Sequence, residues 1–123
     1  MENPEAIVRA ALACLNDHDV EGYFARCADG FVMTNELGVF EGKAAVREAF
    51  APLGGIPDHW RTIDRVEVAG STVSVWLRFG GTMASTGRAF EMQGCTVWEV
   101  SGDLLTSATE HGSYQPAIDA AQP

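Results

Sequence analysis

From His59 onward, apolar residues recur at every second position, a spacing that suits a strand with one buried face and does not suit a helix. In the stretch TVSVWLRFGGTMA, Val73, Val75, Leu77 and Phe79 alternate with Ser74, Trp76 and Arg78. In RAFEMQGCTVWEV, Phe90, Met92, Gly94, Thr96 and Trp98 share one face, and Glu91, Gln93, Cys95, Val97 and Glu99 share the other. Gly70-Ser71, the stretch 85–87 and the stretch 101–103 supply turns. The second half is therefore read as four long antiparallel strands, the first HWRTIDRVEVA and the last LLTSATEHGSY. Gly80-Gly81 and Gly94 let such strands bend or bulge, so that the sheet curls.

The first half has the helical period instead. Asn3 and Pro4 make a helix start, one by capping and the other because a first-turn residue needs no N–H donor. Ile7, Val8, Ala11, Leu12 and Leu15 then form one apolar stripe. The stretch 16–19 breaks the pattern, and Asp19 can cap a second helix, VEGYFARCA, with Tyr23, Phe24 and Cys27 partly inward. Residues 30–42 read as two short strands joined near Glu36–Gly38. KAAVREAFAPL gives a third helix, which Pro52 and Gly54-Gly55 stop. Helices ahead of meandering strands predict an α+β fold with the helices on one face of a curved antiparallel sheet.

The chain has 123 residues, enough for one core. We assign residues 1–115 to a single domain and 116–123 to a flexible tail. The net charge is −9 and the eight Lys and Arg are scattered, which argues against nucleic acid and anionic membranes as partners. No apolar run approaches the ~20 residues of a membrane helix. The N-terminus has no basic region ahead of a long apolar stretch, and a cytoplasmic location is the default expectation. Three dispersed cysteines without a C-x-x-C, and three dispersed histidines, predict neither a disulfide framework nor a metal site. With no glycine-rich phosphate loop, no cofactor is expected.

Three strings in order, LNDHDVEGYFARCADGFVM, FEGKAAVREAF and VWEVSGDLL, carry a resemblance to the NTF2-like superfamily, in particular its SnoaL-like and ketosteroid-isomerase-like members. It spans about residues 5–114. The resemblance implies a cone-shaped, NTF2-like α+β barrel of sheet wrapped by three helices around a mostly apolar pocket. It also implies a homodimer through the outer face of the sheet. The catalytic sets of the superfamily are not copied. Where steroid isomerases carry a carboxylate base, this chain has Asn35, and their oxyanion donors fall on Ala11 and Thr96. The Arg-x-Asp pair of the epoxide hydrolases would begin at Arg78, but Gly80 follows two residues later. The last-strand acid of the epoxide hydrolases falls on Thr109; where SnoaL-type cyclases carry an Asp on the last strand with a His nearby, this chain offers Thr109, Glu110, His111 and Tyr114, with no Asp until Asp119 in the tail.

Glu110 and His111 adjoin in the sequence, and strand neighbours face opposite ways. The face with Leu105, Ser107, Thr109 and His111 matches the one from which the resembled family points an acid into the cone, and the resemblance thus implies that His111 is a pocket residue and Glu110 an outer charge. A histidine there could shuttle a proton, or simply bond the backbone at a strand end. The catalytic candidates are thus His111, Asn35 and His59, the last with Asp58 at the mouth. Tyr23, Phe31, Met33, Trp60, Phe90, Met92, Thr96, Trp98 and Thr109 are the candidate substrate-binding wall. The expected function is a cyclase, isomerase or dehydratase acting on a largely apolar, polyketide- or terpenoid-like substrate. A carrier of a small hydrophobic ligand, and an interaction domain with a filled core, remain open beside it.

Overall fold

The computed structural model describes residues 3–112. Expectations for Tyr114, Asp119 and the 116–123 tail lie outside the described residues. Helix α1 is Pro4–Asn16, with Asn3 Oδ1 accepting from Ala6 N at 2.7 Å. Helix α2 is Val20–Ala25, capped by Asp19 Oδ1 on Gly22 N at 2.9 Å. It is shorter than the sequence suggests, because Cys27 already begins strand β1, Cys27–Asn35. Strand β2, Gly38–Glu41, returns antiparallel to β1. Helix α3 is Lys43–Ala49, and Pro52 follows within a 3-10 turn, Ala51–Gly55. The long strands are β3 Trp60–Ala69, β4 Thr72–Thr82, β5 Ala89–Ser101 and β6 Leu104–His111.

The six strands make one curved sheet in the order β2-β1-β6-β5-β4-β3. The β1–β6 pair is parallel and all others are antiparallel. The sheet does not close on itself, so the expected barrel is an open, wrapped half-shell. Its inner face is the one the alternation names: Val73, Val75, Leu77 and Phe79 on β4, with Thr96, Trp98 and Val100 on β5, are all buried. Ile7, Val8, Ala11, Leu12 and Leu15 of α1 cover part of that face, and Tyr23 and Phe24 of α2 complete the cover. Burying each large side chain contributes about 1.5–3 kcal/mol.

Two strands carry one residue too many for their partners. On β3, Ile63 pairs with Leu77 but Arg65 pairs with Trp76, so Asp64 is extra. The bulge keeps Arg61 and Ile63 opposite inward Phe79 and Leu77, and it sets Arg65 outside against Trp76. The Arg65 guanidinium lies 4.7 Å from the Trp76 ring centroid, which gives this outer tryptophan a partner within the same chain. On β6, Val100 pairs with Leu105 but Glu99 pairs with Ser107, so Thr106 is extra. Thr106 Oγ1 donates to Glu99 O at 3.2 Å across the irregularity.

Gly80 is required by a close approach rather than by its backbone angles. A Cβ there would lie 2.6 Å from the Phe90 carbonyl oxygen and 2.7 Å from the Trp60 ring. Gly80→Ala is therefore expected to cost about 2 kcal/mol. Gly30→Ala, where a Cβ meets nothing within 4 Å, should stay within about 0.5 kcal/mol of the parent. Urea denaturation of both variants checks the contrast, and equal midpoints would contradict the packing described.

Candidate functional site

Between the inner face of the sheet and helices α1–α3 lies a cavity of about 330 Å³, within the range of small-molecule sites. Most of its wall is apolar: Leu12, Leu15, Met33, Phe40, Phe50, Leu53, Leu77, Phe79, Trp98 and Ala108. Its polar groups are few. Asn35, Arg61, Thr96, Tyr23 and Glu110 line it, and the exposed Glu48 accompanies Leu37 and Pro52 in the wall.

Glu110 reaches the cavity because of the Thr106 bulge. Leu105 is fully buried, as even alternation requires, but past Thr106 the parity reverses and Ala108 is the next buried residue. Glu110 then pairs with buried Thr96. His111 pairs with Cys95, a residue of the outer face, and is exposed. The expectation for the Glu110–His111 pair is thus reversed: the acid faces in and the imidazole faces out.

The β1–β6 register sets Met33 beside Ala108 and Thr34 beside Thr109, and Asn35 and Glu110 come next along the two strands. Asn35 Nδ2 donates to Glu110 Oε1 at 3.0 Å. The orientation of this amide is fixed from the other end, since Asn35 Oδ1 accepts from Leu37 N at 2.8 Å. A backbone N–H can only donate, so the Asn35 oxygen must face it and the NH₂ must face the acid. Burial pushes the Glu110 carboxyl above its ordinary value; the Asn35 hydrogen bond and the charge of Arg61 oppose that rise.

Across the cavity, Tyr23 is almost fully buried, and burial raises its phenol well above the usual range. Its oxygen accepts from Trp98 Nε1 at 3.2 Å, while its own O–H remains a donor. Arg61, buried on β3, lies over the Phe79 ring at 5.1 Å from its centroid. Besides the exposed Glu48, the site therefore presents the Glu110 carboxyl, the Asn35 amide, the Tyr23 phenol, the Thr96 hydroxyl and the Arg61 guanidinium against a largely apolar wall.

Of the candidates named from the sequence, Tyr23, Met33, Asn35, Thr96 and Trp98 line the cavity. Thr109 does not, since the same parity change that turns His111 out turns it out. Trp60 does not, because its strand neighbour Arg61 takes the inner face. Phe31 is buried one layer back, edge-on to Tyr23 with centroids 6.3 Å apart. Phe90 and Met92 are on the inner face but outside the cavity wall, with Phe90 packed edge-on to Phe79 at 5.6 Å. His59 is buried behind Arg61 and lines a separate open groove with His18, Arg47 and Phe50. Asp58, beside it, accepts from Thr82 N at 2.7 Å. The sequence reading set Glu110 on the outer face and did not single out Arg61. The in-phase spacing of Arg61 with Ile63 signals the second, and the step from Leu105 to Ala108, three residues rather than two, signals the first.

Among the described residues no group of three or more His, Cys, Asp or Glu is placed to hold a metal, and no helix is long and apolar enough to cross a membrane.

Comparison with known proteins fits this architecture. The family model of the SnoaL-like domain matches residues 8–108. Among solved structures, an NTF2-like protein from Burkholderia thailandensis E264 is 26% identical over 100% of both chains, with a TM-score of 0.84. AclR from Streptomyces galilaeus, described as a proposed hydroxylase, is 13% identical, covers 96% of this chain and 94% of its own, and has a TM-score of 0.84. A proposed polyketide cyclase from Silicibacter sp. TM1040 is 12% identical, covers 95% of this chain and 93% of its own, and has a TM-score of 0.79. No curated protein matches the chain. With its sheet, its cavity and the family match over most of its length, the chain belongs to the SnoaL-like domain family and has the NTF2-like fold.

Proposed function

We propose that this chain is an enzyme that moves a proton within a small, largely apolar, ring-forming substrate of polyketide or terpenoid type, in a cyclisation, isomerisation or dehydration. The observation that carries the reading is Glu110: an acid in an apolar cavity, aimed by an amide that is itself fixed by the backbone. An acid whose pKa is raised by burial holds and releases a proton more readily within the site than an ordinary surface carboxyl does. The fold-level likeness to a proposed cyclase and a proposed hydroxylase supports a small-molecule reaction of this kind.

In the mechanism, the Glu110 carboxylate takes a proton from a carbon next to a substrate carbonyl. The C–H electron pair becomes the new C=C bond, and the carbonyl pair moves onto oxygen. The Tyr23 O–H and the Arg61 guanidinium are the donors for that oxygen. Glu110 then returns the proton at a second carbon, or to a leaving hydroxyl. The apolar wall holds the chain folded, which by itself accelerates an intramolecular step. An inward carboxylate is a feature that a simple hydrophobic carrier does not need, and it favours the enzyme reading over the carrier.

Native mass spectrometry after gentle purification should capture a retained ligand and supply a substrate class to assay. With that substrate, Glu110→Gln is expected to lower kcat by roughly a hundredfold or more while ligand affinity changes less than about threefold. Undiminished turnover in that variant, or binding without turnover in the parent, would refute the proposal. Asn35→Leu removes the hydrogen bond that holds the Glu110 pKa down, so the acid limb of the kcat profile should move to higher pH. An unmoved limb would show that Glu110 is not the titrating base.

Stability gives an independent check. Because the folded carboxyl has a raised pKa, the unfolded chain ionises first as pH rises past about 4.3. Folding stability is then lost through the window up to the folded pKa. Glu110→Gln lacks that loss. Its melting temperature relative to the parent should climb with pH from about 4 and then level off; a constant offset would place Glu110 in water.

A further inference from the structure

His59 was a catalytic candidate by sequence, yet it does not touch the cavity. Its Nδ1 lies 3.3 Å from Arg61 Nη1. A guanidinium only donates, so Nδ1 must accept, and the ring proton belongs on Nε2. The same Arg61 Nη1 is 3.4 Å from Asn16 Oδ1. Asn16 is tied to the strand by two more bonds, accepting from Arg61 N at 2.9 Å and donating through Nδ2 to Arg61 O at 3.0 Å. His59 is held in turn. His18 Nε2 donates to the His59 carbonyl at 3.0 Å, and the two rings lie with centroids 4.3 Å apart and planes tilted by 39°. Arg61 Nη1 thus meets two neutral acceptors, and the guanidinium lies against the Phe79 face.

We propose that His59 is a positioning residue: through its Nδ1 it holds the Arg61 guanidinium in the cavity wall, so that the site prefers ligands bearing an anionic oxygen, such as an aryl carboxylate or an enolate. This rests on the cavity being a ligand site, the reading given above. The arrangement requires an uncharged imidazole. The charged and titratable groups around it are Arg61 on β3, which His59 precedes, His18 from the α1–α2 junction, neighbouring Asp58, and Arg47 of α3 across the groove. Burial, then the charges of Arg61 and His18, push His59 down to about 4, against a smaller opposing effect of Asp58. The acceptor therefore persists at neutral pH, and the stability it lends is lost only as pH falls from about 6.5 toward that value.

The pair of variants that isolates the role is His59→Leu, which removes the acceptor, and His59→Asn, whose side-chain oxygen sits near the place of Nδ1. The probes are 2-naphthoate and the neutral 2-naphthalenemethanol, titrated by fluorescence into the full chain at pH 7. The parent should favour naphthoate. His59→Leu should weaken naphthoate by roughly tenfold, with the alcohol changed less than about twofold, and His59→Asn should restore most of the loss. A parent without preference for naphthoate, or a parallel loss of both probes in His59→Leu, overturns the proposal. Long-range ¹H–¹⁵N spectra of the parent decide the geometry without any ligand: the Nε2–H tautomer is expected at pH 7, and the Nδ1–H tautomer would overturn it. The tautomer measurement does not involve Glu110, so a wrong tautomer and retention of turnover in Glu110→Gln are separate failures.

Discussion

The site depends on a single extra residue in β6. Opposite Glu99 and Val100, the strand carries Leu105, Thr106 and Ser107 where two residues would keep step. Side chains on a strand alternate strictly, so one inserted residue exchanges the faces of everything beyond it. Leu105 stays in the core, and four positions later the chain presents Thr109 outward and Glu110 inward. Without that insertion the cavity would be lined by Thr109 and an imidazole, and its chemistry would differ in kind.

Burying a carboxylate in a hydrocarbon wall is unfavourable unless it is met by donors or held protonated. The Asn35 amide meets one oxygen, the Arg61 charge favours the ionised form, and burial favours the neutral form. Burial is the largest of these effects, so the carboxyl stands above its ordinary value, and the amide limits the rise. Asn35 can do this because the tight turn into β2 fixes its oxygen on Leu37 N. Asn35 on β1 thus presents a donor to the acid on the neighbouring strand β6.

The second bulge acts on the other wall. Asp64 shifts β3 so that Arg61 and Ile63 face inward while Arg65 covers Trp76 on the outside. A cation in the cavity would be a poor choice in an unsupported wall. The Asn16 carboxamide at the end of α1 and the His59 ring reach it from behind, and the ring of Phe79 lies against it. Helix α1 therefore does more than cover the sheet: its last residue is part of the polar framework of the site.

Much of the fold was legible from local pattern. The caps at Asn3 and Asp19, the hairpin at Glu36–Gly38, and the inner faces of β4 and β5 follow from spacing and turn chemistry that act within a few residues. Tyr23, Met33, Asn35, Thr96 and Trp98 were legible as lining for the same reason. His111, Thr109 and Trp60 were not, because the face of a strand residue is set by register against a partner. Phe31, Phe90 and Met92 show the further limit that an inward residue can be core without being wall. What the sequence determines alone is the set of helices, strands and apolar faces, since propensity and periodicity are properties of short segments. Which acid and which cation enter the cavity was decided only when β6 paired with β5 and β3 with β4, because a bulge is a mismatch between two strands and exists in neither one by itself.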